Sequence, residues 1–180
     1  MAGEGSHFHY VATRAQAAEL ITAHDKFWVS NCGCREGGPG CNHSRLDVCL
    51  FFDPQMGGTG GNFREVDRAF AEGILREAEE KHLVCRPFRY DKDRTRTQGI
   101  CFCCECCGYF PVEEDACDRG RFRERTDITA CSQCGACADV CYFGARAMTD
   151  GELAVASEKC YGCALCLDVC PDGCIEMVAR

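Results

Sequence analysis

The sequence contains no apolar run that approaches the roughly eighteen residues of a membrane-spanning helix. Residues 1–24 also lack the apolar stretch behind a basic segment that marks a secretory signal. Basic residues are in deficit, with 20 Lys and Arg against 28 Asp and Glu, so the basic surface that nucleic acid requires is not expected. These absences predict a cytoplasmic protein with neither a membrane span nor a nucleic-acid partner.

Motifs for nucleotide binding are absent as well. The glycine-rich residues 56–61 are not followed by Lys-Ser or Lys-Thr, so we expect a plain loop there and no phosphate-binding loop. No glycine-rich turn opens a helix in the manner of dinucleotide-binding folds. The sequence therefore offers no recognisable catalytic motif, and we assign a catalytic role to no residue.

Cysteine is abundant, at 20 of 180 residues. Such a content is typical either of a secreted disulfide scaffold or of metal sites in a reducing compartment. Because no secretory signal is expected, the second explanation is favoured. We therefore expect thiolate ligands for metals, in a cell that is poor in oxygen.

Two runs near the end of the chain place four cysteines at identical, short spacings. This Cx2Cx2Cx3C pattern is that of bacterial two-cluster ferredoxins, in which three cysteines of one run and the fourth of the other bind each [4Fe-4S] cluster. A zinc site is instead expected to show two CxxC pairs. The runs are Cys131, Cys134, Cys137 and Cys141, then Cys160, Cys163, Cys166 and Cys170 with Pro171 behind it.

Residues 128–180 resemble this ferredoxin family, and the resemblance implies two low-potential clusters with crossed ligands. The eighteen residues between Cys141 and Cys160 predict a strand, a turn and a return strand. Tyr142 departs from the family, which usually has proline there, and this puts the potential of one cluster in question but not its presence. The implied ligands are Cys131, Cys134, Cys137 and Cys170 for one cluster, and Cys160, Cys163, Cys166 and Cys141 for the other.

Twelve cysteines lie outside these runs. Cys85, Cys117 and Cys174 are isolated, so we expect ordinary buried thiols. The other nine are too many for packing alone and predict a third metal site, whose four ligands the spacing does not identify. They form two groups: Cys32, Cys34, Cys41 and Cys49, then Cys101, Cys103, Cys104, Cys106 and Cys107.

Three kinds of site are compatible with these nine thiols. An iron–sulfur cluster that joins the two groups is the first choice, because such a clip couples metal binding to folding. A structural zinc comes second, with His43 as a further candidate ligand. A dithiol relay at Cys103-Cys104 and Cys106-Cys107 comes third.

Residues 13–23 are rich in helix formers and predict a helix with Thr13 as N-cap. Apolar periodicity predicts a second helix at residues 64–83. Strands are expected at residues 27–30 and 46–53. Residues 83–88 are expected to form an edge strand, because Pro87 cannot donate a hydrogen bond to a ladder. These elements predict an α+β protein. Its cysteine-rich α/β front domain would span residues 1–120, and short hairpins and helices around two clusters would follow in residues 121–180, with a charged linker at 113–125.

The front half resembles that of a little-described group of prokaryotic iron–sulfur proteins, which carry such a domain ahead of a two-cluster ferredoxin. The resemblance depends on Asn31-Cys32-Gly33-Cys34-Arg35, on the amphipathic helix and on residues 100–107. It implies an electron carrier, or the electron-conducting subunit of a larger oxidoreductase, whose partner is a redox protein. The alternative is a redox enzyme component whose front domain holds a catalytic or structural metal or dithiol centre, fed by the ferredoxin domain.

Overall fold

A seven-stranded sheet forms the front part of the computed structural model, which describes residues 7–107 and 117–180. Its strands are β1 (His9–Tyr10), β2 (Phe27–Ser30), β3 (Cys49–Phe51), β4 (Arg64–Val66), β5 (Val84–Arg89), β6 (Thr97–Cys103) and β7 (Cys117–Asp118). They are ordered β4-β2-β3-β6-β5-β1-β7. Every neighbouring pair is antiparallel except β1 with β7, which is parallel.

The front part has an apolar core between this sheet and two helices, α1 (Arg14–Thr22) and α3 (Arg68–Glu80). A third helix, α2 (Gly33–Glu36), is a single turn behind β2. Full burial of one large apolar side chain contributes about 1.5–3 kcal/mol, against which stands the entropy cost of ordering the chain. Its completely buried members include Phe27, Val29, Leu50, Phe51, Ile74 and Ile100.

Helix α1 begins where the sequence predicts. The Thr13 hydroxyl accepts a hydrogen bond from the backbone N–H of Gln16 at 3.2 Å, and the Gln16 side-chain oxygen accepts one from the N–H of Thr13 at 3.0 Å. This reciprocal capping box satisfies two N–H groups that the helix leaves without partners. The predicted N-cap is therefore confirmed.

Helix α3 is shorter than its predicted range of residues 64–83. Val66, expected on its apolar face, instead pairs with Phe27 at the edge of the sheet. Asp67 has extended backbone, and its carboxylate accepts a hydrogen bond from the N–H of Phe70 at 2.8 Å, so it is the N-cap. The apolar spacing of α3 continues into β4, so it did not reveal where the helix begins. The true start is marked by the aspartate cap, which is not an apolar residue.

We expect Asp67→Ala to destabilise the protein by about 1 kcal/mol, because one N–H of the first turn of α3 loses its acceptor. The midpoint of anaerobic urea unfolding measures this loss. Asp67→Asn is the matched control, since its amide oxygen can still accept from Phe70. An equal loss in both variants would show that the cap does not act through this hydrogen bond.

The prediction that residues 83–88 form an edge strand was wrong. Strand β5 pairs with β6 on one side and with β1 on the other. Hydrogen bonds from Arg89 N–H to Phe8 O and from Ala12 N–H to Cys85 O flank Pro87 on the β1 side. Alternate residues of a strand direct their backbone groups to one side, so the missing donor of Pro87 faces the two-residue strand β1. A short neighbour with few ladder bonds tolerates the proline.

The last part of the chain consists of two small antiparallel sheets and two single-turn helices. Strands β8 (Phe122–Thr126) and β11 (Ile175–Ala179) pair with each other, and β9 (Arg146–Thr149) pairs with β10 (Glu152–Val155). The hairpin of β9 and β10 is the strand, turn and return strand predicted between Cys141 and Cys160. The helices are α4 (Ala136–Asp139) and α5 (Leu165–Asp168).

The charged passage predicted as a linker is only partly described. Residues 113–116 lie outside the described ranges, and β8 occupies the end of the passage, where the linker prediction was wrong. Val84 of β5 and Val11, which follows β1, are buried in one apolar cluster with Tyr161 and Leu165. The mixed helix and strand content follows the α+β prediction. In the described ranges, no helix combines the length and apolar character of a membrane span.

Candidate metal centres

Each four-cysteine run folds as a loop with two left-handed residues, followed by one turn of helix. In the first run these residues are Gln133 (φ 62°) and Gly135 (φ 83°), directly before α4. In the second run Gly162 (φ 84°) and Ala164 (φ 70°) occupy the equivalent positions before α5. A left-handed residue turns the chain sharply, at a steric cost that glycine does not have. The same curled loop is thus built twice, although only one of its two turning positions is glycine in each run.

The structure brings one thiol of the first run beside three thiols of the second. Burial raises the pKa of Cys163, a backbone N–H lowers it, and the thiolates of Cys166, Cys141 and Cys160 raise it again. Cys141 of the first run thus lies near enough to Cys163 to act on it together with two thiols of the second run. Cys160 and Cys166 are buried, and Cys141 and Cys163 are partly buried. The arrangement is what crossed ligation of a cluster would need.

The other four predicted ligands are less uniform in their surroundings. Cys137 is buried in an apolar cluster against which Cys131 and Cys170 pack, whereas Cys134 is exposed. The N–H of Gln133 lies 3.4 Å from the Cys131 Sγ atom, within reach of a weak hydrogen bond. Such bonds to sulfur tune the potential of an iron–sulfur cluster.

Cys174 is not the isolated thiol that the sequence predicts. Its Sγ atom lies 3.5 Å from that of Cys170. It also lies within 4.8 Å of Cys131 Sγ and of a carboxylate oxygen of Asp172. That carboxylate already accepts hydrogen bonds from the N–H and hydroxyl groups of Ser132. The turn after Cys170 returns the chain toward β11 and brings this fifth thiol to the first set, which spacing alone does not reveal.

Arg146 is a buried cation that sequence reasoning missed. Its Nη1 atom lies 3.3 Å from Cys137 Sγ, and its Nη2 atom lies 2.6 Å from Glu124 Oε2. Burial alone would lower the pKa of Arg146, but the nearby Cys166 and Cys137 thiolates and Glu124 raise it. A fixed positive charge therefore lies between one thiol of each predicted set. No pattern in the sequence distinguishes this arginine from the exposed arginines of β8.

The eight sulfur atoms of the two runs are not gathered as closely as the ligands of a single tetrahedral ion. All eight lie within the described ranges, and no three of them fall within 4.8 Å of one another. A tetrahedral ion with bonds of about 2.3 Å to sulfur would hold its ligands about 3.8 Å apart. A cubane binds each thiolate to a different iron, so its ligands stand farther from one another.

Eight of the nine front thiols form two groups of four, one compact and one more open. In the compact group all four Sγ atoms lie within 4.8 Å of one another. Burial raises the pKa of Cys41, but hydrogen bonds from the N–H groups of His43 and Ser44 and from neighbouring thiols outweigh it and bring the pKa to about 7. The compact group consists of Cys41, Cys104, Cys106 and Cys107.

The open group lies around the ends of β3 and β6. Cys49 Sγ is 3.9 Å from Cys101 Sγ, which is 4.0 Å from the Nε2 atom of His9. Hydrogen bonds from Cys34 and then Cys49 lower the pKa of Cys32 despite its burial. The open group therefore consists of Cys32, Cys34, Cys49 and Cys101. The sequence did not anticipate either its membership or the approach of His9.

The remaining candidates of the front part lie beside these groups. Cys103 Sγ is 3.8 Å from the guanidinium of the buried Arg86. His43, considered as a zinc ligand, has its Nε2 atom 3.1 Å from Glu105 Oε1 and is not a member of the compact group. Cys85 is buried, as predicted, and burial raises its pKa to about 12. Cys117 is buried as well.

Tyr142 lies near both the front thiols and the second cysteine run. Burial first, and then the charges of Glu105, Cys104, Cys106 and Cys163, raise its pKa to about 12. The residue that replaces the family's proline therefore lies near the compact group and near Cys163 at the same time.

Comparison with known proteins identifies the class of the C-terminal part. Residues 130–174 match the family of the 4Fe-4S dicluster domain. The chain therefore carries a ferredoxin-type 4Fe-4S domain at its C-terminal end, which confirms that part of the prediction. The match covers a quarter of the 180 residues and leaves the front part unassigned.

Relatives of this chain are found among electron transport proteins. Electron transport protein HydN of Escherichia coli is 43% identical over 54 residues in strain K12, and the same values hold for strains O6:H1 and O157:H7. The matched stretch is 29% of this chain and 31% of the relative, so it covers less than a third of either protein.

Proposed function

We propose that this protein is a one-electron carrier of the ferredoxin kind that works at low potential. The observation that carries the proposal is the position of Cys141 beside three thiols of the second run, in a stretch that matches a dicluster domain. Similarity to an electron transport protein supports a role in electron transfer. Its partner would be a redox enzyme, either met in solution or bound in one complex.

The proposed ligand sets follow the crossed pattern. Each set takes three thiols from one run and the fourth from the other, so that both halves of the ferredoxin part hold each cluster. The first set is Cys131, Cys134, Cys137 and Cys170, and the second is Cys160, Cys163, Cys166 and Cys141.

When bound, the two clusters would accept one electron each and pass it on. The chain limits access of water by burying Cys137, Cys160 and Cys166. Tyr161, which follows a ligand, is buried and stacks on Phe143 with ring centroids 4.4 Å apart. The charge of Arg146 lies where added negative charge on either cluster would be stabilised. Arg146 thus favours reduction without taking part in it, whereas burial opposes the added negative charge.

The front part would add a third metal site, as the nine thiols of the two groups suggest. Cys41 and Cys104 come from segments 63 positions apart, so a metal between them would close a long stretch of chain. A content of 20 cysteines suits the reducing cytoplasm, where we place the protein. We regard the front part as a relay or a docking surface for the redox partner.

Anaerobic purification with metal analysis tests the proposal. We expect about eight irons in the ferredoxin part and uptake of about two electrons per chain from a low-potential one-electron reductant, one for each cluster. Cys163→Ala should lower the iron content by about four. Cys85→Ala is the matched control, since this buried thiol belongs to neither set and should keep the full content. Wild-type protein that holds no iron, or holds zinc at these eight thiols, would refute the proposal.

A further inference from the structure

We infer that Cys41, Cys104, Cys106 and Cys107 bind one tetrahedral, thiophilic divalent ion, and that this site does not hold an iron–sulfur cluster. Zn²⁺ and Fe²⁺ share the required chemistry, and the experiment below distinguishes them. The inference rests on the proposed third metal site, and it specifies the ligands, the number of metal ions and the geometry of that site.

The distances between the sulfur atoms indicate a single ion. Cys104 Sγ lies 3.5 Å from Cys41, 3.3 Å from Cys106 and 3.4 Å from Cys107. Cys106 Sγ lies 3.7 Å from Cys41 and 3.9 Å from Cys107. Four ligands about 2.3 Å from a tetrahedral ion are about 3.8 Å apart, because the edge of a tetrahedron is about 1.6 times its radius. The group is therefore already close to the size of a mononuclear tetrathiolate site.

An iron–sulfur cubane does not fit this group. Its four thiolates bind four different irons, with inorganic sulfide between them, so the ligands must stand well apart. The eight thiols of the ferredoxin part are less closely gathered than the compact group, since no three of those described residues lie within 4.8 Å of one another. Among the described residues, the compact group is the one set in which four thiols lie within 4.8 Å of one another.

Disulfide chemistry does not account for the group either. The two sulfur atoms of a disulfide are about 2.05 Å apart, and the bond uses only two thiols. Here four thiols converge, at separations of 3.3–3.9 Å in the pairs given above. A fourfold convergence is the requirement of a structural metal site, in which every coordination position is filled by protein.

The local fold explains how three ligands come from one short segment. Strand β6 ends at Cys103, and the chain then makes a 3₁₀ turn over Glu105–Cys107. The turn brings Cys104, Cys106 and Cys107 together. The fourth ligand, Cys41, comes from the loop behind α2, where the N–H of Ser44 lies 3.3 Å from its Sγ atom. A hydrogen bond of this kind stabilises a thiolate more than a neutral thiol.

An independent observation comes from the charge of Arg35. Its side chain is buried, with 2% of the residue exposed, and it donates hydrogen bonds to the carbonyl oxygens of Phe102, at 2.8 Å, and Arg45. It forms no ion pair with any carboxylate in residues 7–107 or 117–180. A buried guanidinium needs a compensating negative charge. Four thiolates around a divalent ion carry a formal charge of −2. Cys41, Cys104 and Cys107 of this group act on Arg35 electrostatically, as does Cys32 of the open group.

The test uses the full chain, purified without oxygen and analysed for zinc and iron. We expect about one zinc, or one iron with the spectrum of an isolated tetrathiolate site, beyond the irons of the clusters. Protein grown with Co²⁺ should show the intense visible absorption of tetrahedral cobalt bound by four thiolates. Four further irons with the signature of a cubane at these thiols would overturn the inference. So would wild-type protein that takes up none of Zn²⁺, Fe²⁺ and Co²⁺ there.

Two neighbouring variants locate the site. Cys106→Ser should lower the extra metal, or the cobalt absorption, at least tenfold and keep the clusters of the ferredoxin part. Cys103→Ser is the matched control, because Cys103 precedes the turn but is not in the compact group, and it should keep both. Retention of the extra ion by Cys106→Ser would contradict the assignment. Wild-type protein that lacks the cluster irons would instead refute the proposed function. Failure of this inference and failure of the proposed function are therefore distinguishable.

Discussion

Replacing Arg146 by glutamine is expected to destabilise the ferredoxin part by about 3–5 kcal/mol, because it leaves the carboxylate of Glu124 buried without its cation. Both side chains of this ion pair are almost fully buried, at 1% and 2% exposure. Glu124 also accepts hydrogen bonds from the hydroxyl groups of Thr126 and Ser157, so it cannot turn toward water easily. The midpoint of anaerobic urea unfolding, followed through the absorption of the clusters, measures the loss.

The same variant should lower the reduction potentials. A unit charge about 8 Å from a cluster, at an effective dielectric constant of about 20, contributes about 2 kcal/mol, or about 90 mV for one electron. Removing a positive charge makes the added electron less favourable, so the shift is toward lower potential. Arg146 lies near Cys137 of one set and Cys166 of the other, so both clusters should respond.

Arg125→Gln provides the matched control for both measurements. Arg125 lies on β8 one residue from Glu124 and pairs with Glu176, but these two side chains are 67% and 57% exposed. Water screens such a pair, so the unfolding midpoint and the potentials should stay within experimental error. Equal effects of the two variants would mean that Arg146 acts only as part of the general surface charge.

The sequence predicted correctly those elements that are determined by residues close to them in the chain. Thr13 could be recognised as a cap because its partner, Gln16, is three positions away in the chain. The hairpin between Cys141 and Cys160 was predictable because the interval is too short for anything but a return to the second run. Both features are set by contacts within about twenty residues.

The prediction failed where the outcome depended on distant partners. Pro87 indicates an edge strand by itself, but β1, almost eighty residues earlier, supplies a neighbour too short to need its N–H. Val66 continues an apolar spacing that suits a helix, yet it pairs with Phe27 of β2. In both cases the local preference was real and a tertiary contact decided the result.

The grouping of the nine front thiols could not be read from spacing for a similar reason. Cys101 lies within β6 and faces Cys49 of the neighbouring strand, whereas Cys104 lies beyond the strand end, where the chain turns. The end of β6 therefore divides one cysteine-rich segment between two groups. Whether a thiol lies within a strand or beyond its end depends on the folded structure. The sequence therefore shows which thiols are present but not which group each of them joins.

Crossed ligation predicts opposite outcomes for two double variants, each combining Cys134→Ala with a second ligand. With Cys170→Ala, both changes fall in one proposed set, so one of the two ferredoxin clusters should survive intact. With Cys141→Ala, one change falls in each set, and neither cluster should survive. Electron paramagnetic resonance of the reduced protein counts the intact [4Fe-4S] clusters. If each run held its own cluster, the two outcomes would be exchanged.

Both double variants have to be made in a Cys174→Ala background. Cys174 Sγ lies 3.5 Å from Cys170 Sγ, so this thiol is well placed to replace the missing ligand and conceal its loss. The background itself should keep both clusters, because Cys174 belongs to neither proposed set. Loss of a cluster in the background alone would show that Cys174, and not Cys170, is the fourth ligand. The ferredoxin part would then still be crossed, but its first cluster would be held by a thiol outside the repeated pattern.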